Sequence, residues 1–274
     1  MTKKVVLITG ASSGIGRKTA EMFLEKGYIV YGAARTEEKL KYLEKYADGH
    51  YQILDITDPE MRSKCVDQIL NSESRIDILI NNAGYGSFGA VEEVPLSEAK
   101  RQFEVNLFGL SEMTKLVIPV MRKNHSGKII NISSVGGKVW TPLGGWYHAS
   151  KFALEGLSDC LRSELKDFGI DVVLIEPGAI KSNWADITAQ NLLEVSGAGP
   201  YQEQARRSAE KYKEMYAEGG MAAESEKVAA VILKAAEKKN PKPRYAVPAH
   251  AKAMLFFRWL LPDRVYNYFT RKFF

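Results

Sequence analysis

Cysteine is scarce in this chain: 274 residues hold two, Cys65 and Cys160. Two thiols build no disulfide framework and form no Cys-x-x-Cys metal pair, so a reduced, cytoplasmic setting is expected. Histidine is scarce too. His50, His125, His148 and His250 stand singly, none beside a cysteine or an acid at ligand spacing, so no metal site is expected. His148, next to Tyr147, is expected on another helix face, as a surface or interface residue. No run nears the ~18 apolar residues of a membrane span. Met1-Thr2-Lys3-Lys4 leads straight into Val5-Val6-Leu7-Ile8, without the long apolar segment of a secretory signal. Linkers, repeats and a Gly-x-Ser-x-Gly elbow are also missing. What remains, 45% hydrophobic and 26% charged residues, suits one globular core rather than a disordered or collagenous chain.

Charge is unevenly placed. Lys and Arg exceed Asp and Glu by 38 to 33, and from Asn240 onward seven basic residues face Asp263 alone. A nucleic-acid footprint would run along a groove or helix of the whole domain, so no nucleic-acid partner is expected.

Short apolar runs alternate with helical patterns. Strands are expected at Val5–Thr9, Tyr28–Ala33, Tyr51–Leu54, Ile76–Ile80, Lys128–Ile132, Val172–Ile175 and Tyr245–Val247. Helices are expected at Arg17–Glu25, Glu37–Lys45, Glu60–Asn71, Glu98–Met121, Ala149–Asp167 and Ser225–Lys238. Continuous apolar strands are buried on both faces. The expected fold class is α/β: a doubly wound, Rossmann-type parallel sheet of about seven strands, helices on both faces, in a single domain.

The first strand runs into Thr9-Gly10-Ala11-Ser12-Ser13-Gly14-Ile15-Gly16, just ahead of a helix. Glycines let backbone approach a pyrophosphate, and the helix start offers free N–H groups. A tight strand–helix connection needs the same residues. Tyr147 and Lys151, four apart, share a helix face. A nearby ammonium would lower a tyrosine pKa and make it a usable acid/base. Asn106 interrupts the helical run Phe103–Leu107, where it is a poor helix former.

These motifs, with Asn81-Asn82-Ala83-Gly84, Ser134 and Pro177-Gly178 in the same order, resemble the short-chain dehydrogenase/reductase family in its compact single-domain branch. The resemblance covers roughly residues 3 to 182. It implies that Tyr147 is the general acid/base, that Lys151 tunes it and that Ser134 polarises the substrate oxygen, with Ser133 as rival. It also implies that Asn106 supports a proton relay through a water. By the same resemblance Gly10, Ser12, Ser13, Gly14, Ile15 and Gly16 would hold the dinucleotide pyrophosphate. Asp55, Ile56, Asn82, Ala83 and Gly84 would hold its adenosine side. Tyr147, Lys151, Pro177, Gly178, Ile180 and Ser182 would hold its nicotinamide side. A homo-oligomer, dimer or tetramer, is expected on the same ground.

The second strand ends with Ala34 where an acid would select NAD, and Arg35 follows. NADP(H) is therefore expected over NAD(H), unless Arg35 pairs with Glu37 or Glu38. Val139–Leu143, Trp146 and Trp184 form an apolar set that suits a hydrophobic ketone or secondary alcohol, steroid-, retinoid- or lipid-like, or else packs as core. A 3-oxoacyl-carrier reductase and a non-catalytic NADP sensor are the alternatives. Residues 183–222, broken by Gly197-Ala198-Gly199-Pro200, are expected to form a lid over the substrate. Residues 249–274 form a basic, aromatic extension resembling that of 17β-hydroxysteroid and retinol dehydrogenase-like members. It could pack on its own domain, close the cleft, bury a dimer contact or touch a membrane surface peripherally.

Overall fold

Alternation along each strand sorts the core. Val5 and Leu7 point to one face of the sheet, Val6 and Ile8 to the other, and all four are fully buried. The computed structural model describes residues 3–181 and 184–273. Among them lies one seven-stranded sheet, every pairing parallel, in the order β3-β2-β1-β4-β5-β6-β7. The strands are β1 (Val5–Thr9), β2 (Ile29–Ala34), β3 (Gly49–Ile53), β4 (Ile78–Asn81), β5 (Gly127–Ile132), β6 (Ile170–Pro177) and β7 (Arg244–Val247).

Helices α1 (Gly14–Glu25) and α8 (Ser225–Glu237) cover one face; Phe23, Val228 and Ile232 are buried there against Val30, Ile80 and Ile130. On the other face α2 (Pro59–Glu73), α4 (Leu110–Lys123) and α5 (Gly145–Leu165) place Ile69, Val117 and Leu165 against Leu79 and Ile129. A buried polar chain crosses this second layer. Asn81 Nδ2 donates to Thr114 Oγ1 and to Asn131 Oδ1, both at 2.9 Å, and Asn131 Nδ2 donates to Ser158 Oγ at 2.9 Å.

Two expected elements differ. Glu37–Lys45 is no α-helix but ends in one 3₁₀ turn, Lys41–Lys45. Tertiary contact decides it: Tyr42 must reach the Ala11 carbonyl, 2.8 Å away, while Leu40 and Leu43 are buried. The run Glu98–Met121 divides into α3 (Leu96–Phe103), a π-helical turn (Glu104–Gly109) and α4. The turn widens where Asn106 spends its amide on Tyr85 and Gly109 passes the Ile56 carbonyl, which a Cβ would meet at 2.5 Å. Residues 184–216 are ordered as α6 (Trp184–Ser196) and α7 (Gln202–Tyr216), parted at the Gly-Pro segment. Their Leu192, Ala205 and Tyr212 build a separate small core with Phe88 and Leu143. The chain closes with α9 (Ala249–Leu260) and α10 (Asp263–Phe273).

Candidate active site

Strand order reverses between β1 and β4, so the connections leaving their carboxyl ends diverge and open a crevice there. Gly10 and Gly14 line it with φ of +68° and +51°, a backbone region that side chains strain. A Cβ on Gly16 would stand 2.3 Å from the Gly10 carbonyl oxygen and 2.5 Å from Asn82 Nδ2. Asn82 Nδ2 donates to the Thr9 and Gly10 carbonyls at 3.0 and 3.1 Å, and Thr9 Oγ1 accepts from the amides of Asn82 and Ala83. The sheet thereby clamps the turn from both strands. At the start of α1, Ser13 makes no side-chain cap and the first turn carries no acid. Its amides and positive dipole end are thus available to an anion. Ser12 and Ile15 flank them half-buried. The narrow glycine cradle and the acid-free helix start fit a dinucleotide pyrophosphate.

Along the crevice Arg35 is exposed and, among the described residues, forms no ion pair; Glu37 instead accepts from the Tyr51 hydroxyl at 3.0 Å. Asp55 lies in reach of its field. Burial opposes ionisation of Asp55, but hydrogen bonds from the Thr57 amide and hydroxyl, with the charges of Arg35 and Arg101, hold its carboxyl below the usual value. Ile56 is buried, and its carbonyl accepts from Arg62 Nη1 at 2.7 Å. Arg101, on α3, was not singled out in the sequence; only the fold brings it to this rim.

At the carboxyl end of β5, Ser134 hydrogen-bonds the Tyr147 hydroxyl, and its Oγ accepts from the Gly136 amide at 3.0 Å. Ser133 is buried with no hydrogen-bond partner for its hydroxyl among the described residues, and that hydroxyl lies 3.0 Å from where a Cβ on Gly137 would stand. Ser134 is therefore the serine facing the tyrosine. Burial raises the Tyr147 pKa above its usual 10, and the Ser134 hydrogen bond pulls the other way. Lys151 Nζ donates to the Ile132 carbonyl at 3.0 Å, and burial brings its pKa down to about 8 against the opposing pull of Glu155. A Cβ on Gly84 would stand 3.7 Å from Lys151 Nζ and 3.1 Å from Asn106 Oδ1, so Gly84 leaves room beside both. Asn106 is fully engaged. Its Oδ1 accepts from the Tyr85 amide, and its Nδ2 donates to the Tyr85 carbonyl and to Ser150 Oγ, which in turn donates to the Tyr147 carbonyl.

Pro177 ends β6, and the segment after it is held from several sides. Gly178 N–H donates to Val247 O (2.9 Å), Ala179 N–H to His250 Nε2 (3.1 Å) and Lys181 N–H to Ala223 O (2.8 Å). Ile180 is buried and bridged to Ala223. Ser182 lies outside the described residues.

Sequence reasoning missed two histidines. His250 fixes the Gly178–Ala179 backbone as a neutral acceptor, and burial lowers its pKa. His148 is buried, not a surface or interface residue: its Nδ1 meets the Gly136 carbonyl at 3.0 Å, its Nε2 accepts from the Thr141 amide, and burial lowers its pKa. Thr141 Oγ1 continues to the Tyr212 hydroxyl on α7 at 3.2 Å, tying the 183–222 segment to the Tyr147 helix. Only long-range contact reveals either role, because isolated histidines carry no spacing signal. The expected aromatic wall is split by the fold. Leu143 joins Phe88, whose ring centroid is 5.4 Å from that of Tyr147, whereas Trp140 turns to Tyr266 and Trp146 to Phe103.

Comparison with known proteins agrees with this geometry. The profile of the family described as short chain dehydrogenase matches residues 4–192. The 3-ketodihydrosphingosine reductase of Bacteroides thetaiotaomicron is 38% identical over 100% of this chain and 99% of its own. The NADPH-dependent 3-dehydrocapnine reductase of Ornithobacterium rhinotracheale is 34% identical over 96% and 94%. A solved short-chain dehydrogenase from Streptomyces avermitilis superposes with a TM-score of 0.82 at 32% identity, covering 98% of this chain and 96% of the other. With fold, motif order and relatives in agreement, the chain belongs to the short-chain dehydrogenase/reductase family and is an NAD(P)-dependent oxidoreductase acting on a CH–OH/C=O pair.

Proposed function

We propose that this chain is an NADPH-dependent reductase of a ketone carried on an apolar, lipid-like molecule. The observation that carries the reading is the Ser134–Tyr147 hydrogen bond beside Lys151, at the carboxyl end of β5. Tyr147 gives its proton to the substrate oxygen as that oxygen gains charge. A pKa held above 10 by burial keeps the phenol protonated near neutrality, which suits reduction. Ser134 donates a hydrogen bond to the same oxygen and stabilises the charge developing there. Lys151, as a buried ammonium, favours the phenolate that Tyr147 briefly becomes. Asn106 holds Tyr85 and the α5 backbone in place around them and supports the relay through water.

Gly10, Ser12, Ser13, Gly14, Ile15 and Gly16 would hold the pyrophosphate, and Asp55, Ile56, Asn82, Ala83 and Gly84 the adenosine. Lys151 would hold the nicotinamide ribose, with Pro177, Gly178, Ile180 and Ser182 along the nicotinamide. When bound, the nicotinamide supplies the hydride. The phosphate form is favoured by Ala34 in place of an acid, by Arg35 free of an ion-pair partner among the described residues, and by the field of Arg101 on the same rim. A relative named as NADPH-dependent agrees.

The substrate class rests on the apolar cluster Phe88, Leu143, Leu192 and Tyr212 against Tyr147, with α6 and α7 as the lid, and on a relative named for a ketone of dihydrosphingosine. A homo-oligomer is expected by resemblance; Phe108 and Phe152, exposed beside α4 and on α5, suit such a contact.

The test is NADPH oxidation, with NADH in parallel, against sphingoid, steroid, retinoid, long-chain and small polar ketones. Turnover of the long-chain ketones with NADPH is expected. Preference for NADH overturns the cofactor reading, and turnover of the small polar ketones alone overturns the substrate class. Tyr147→Phe should bind NADPH unchanged and lose turnover by roughly 10²-fold or more; retained turnover refutes the mechanism.

A further inference from the structure

The last two helices use only their inner sides on the domain. On α9, Ala251 is fully buried, and Met254 and Leu255 pack with it against Val135 and Val139. On α10, the Tyr266 hydroxyl donates to the Trp140 carbonyl at 3.4 Å, its ring stands edge-on to Trp140 with centroids 4.9 Å apart, and Asn267 Oδ1 accepts from Trp140 Nε1 at 3.2 Å. Arg258 stacks on Trp140 at 4.5 Å and pairs with Asp263 at 2.7 Å.

The outer sides are apolar and exposed. Phe256, Phe257, Leu260, Val265, Tyr268, Phe269 and Phe273 all face solvent, and Trp259 is 79% exposed. Half of the exposed large apolar side chains among the described residues thus fall in the eighteen positions from Phe256 to Phe273. Phe256 and Leu260, like Val265, Phe269 and Phe273, are spaced four apart, so each group forms one helical stripe. Single exposed apolar residues need no explanation, but a contiguous face does.

Charge chooses the occupant. Lys252, Arg264, Arg271 and Lys272 flank these stripes and form no ion pair among the described residues. A second copy of the same face would bring like charges together. An anionic bilayer offers both an apolar interior edge and opposite charge, and aromatic residues with Lys and Arg are what such an interface accepts.

We propose that α9 and α10 dock this protein on an anionic phospholipid bilayer. The docking face borders the site. Trp140, which anchors α10, adjoins Thr141, the partner of His148 and Tyr212, and Lys211 of α7 stands 5.9 Å from the Phe273 ring. A lipid ketone leaving the bilayer therefore meets the lid directly. Supply of substrate by this route rests on the reductase reading; docking itself does not.

The experiment is co-sedimentation of the full chain with phosphatidylcholine vesicles, with and without phosphatidylglycerol, beside solution mass in their absence. Binding is expected only with phosphatidylglycerol and should weaken as salt rises. The double variant Trp259→Glu/Phe269→Glu, whose altered side chains are both exposed and lie outside the buried clusters of the described residues, should bind about tenfold or more weakly, since binding scales with buried apolar area. Its melting temperature and its turnover of a short, water-soluble ketone should match the unaltered protein. Equal binding by the variant, or no binding by the unaltered chain, overturns the proposal. So does a dimer that the variant dissociates without any vesicle binding, which would make the occupant a second copy. If vesicles bind but no ketone is reduced, the reductase reading fails while docking stands.

Discussion

Lys151 is the residue where burial and chemistry meet. Burial disfavours its ammonium and brings its pKa from 10.5 to about 8. Below about 8 the folded protein holds the proton at a cost, and that cost disappears as pH rises from about 8 through 10.5, so this group adds stability only on the alkaline side. On the proposed reading, in which the Lys151 ammonium holds the nicotinamide ribose, cofactor affinity should show the same group with the opposite sense. NADPH affinity measured by fluorescence should be level up to about pH 8 and then weaken, approaching tenfold per pH unit. Lys151→Met should bind more weakly at pH 7 and lose that pH dependence; an unchanged profile refutes the assignment. His250 acts through backbone. Its Nε2 accepts from Ala179 N–H, so His250→Leu should raise KM for NADPH about fivefold, the worth of one net hydrogen bond. His250→Gln, which keeps an acceptor at that reach, should restore it. Equal KM values in both variants show that the contact does not position the loop.

At the scale of elements, the β1–α1 turn is specified by what must pass close to it. Gly16→Ala places a methyl 2.3 Å from the Gly10 carbonyl oxygen, against backbone that cannot step aside. A stability loss of about 1–3 kcal/mol and loss of NADPH binding are expected by thermal shift with and without cofactor. Full binding by Gly16→Ala would mean that the turn has slack the geometry denies. The connection after β5 follows a different logic. It carries Ser134 and His148's partners, and its order depends on Thr141 and Tyr212 joining it to α7. Sequence periodicity located α5, α8 and the strands because their apolar spacing is local. It failed at Glu37–Lys45 and across Glu98–Met121, where a buried Tyr42 and the Asn106 amide answer to distant partners instead.

Across the whole molecule, charge is buried behind the site as well as exposed at its tail. Glu176 on β6 and Glu155 on α5 share Arg244, at 3.5 and 2.9 Å, and Lys138 at 3.8 and 3.9 Å. Burial, then repulsion from Glu155, raises Glu176 from 4.5 to about 7, against the pull of Lys138 and Arg244. The folded state therefore holds a proton that the unfolded chain releases, and the stability it brings is complete below pH 4.5 and is lost as pH climbs through 7. Glu176→Gln should be more stable than the unaltered protein at pH 8, by on the order of 1–3 kcal/mol, with the difference shrinking towards pH 5. Calorimetry at the two pH values decides it; a less stable variant at pH 8 would mean that the ion pairs outweigh burial.

The residues alone determined the class of fold, the glycine-rich turn and the placement of Tyr147 and Lys151 four apart on one helix, because strand alternation, turn chemistry and four-residue helical spacing are all local. They also marked the tail as basic and aromatic. The resemblance favoured Ser134 over Ser133; only the tertiary structure showed that Ser134 is the one beside Tyr147, since one residue's step along the chain reverses which side a hydroxyl faces. It alone revealed His148, His250 and Arg101, whose partners lie far away in sequence or on another element. It also turned Trp140 from the substrate wall to the tail, and left one side of α9 and α10 uncovered. Such outcomes depend on which surfaces meet when helices settle on a finished sheet, and no local pattern encodes that.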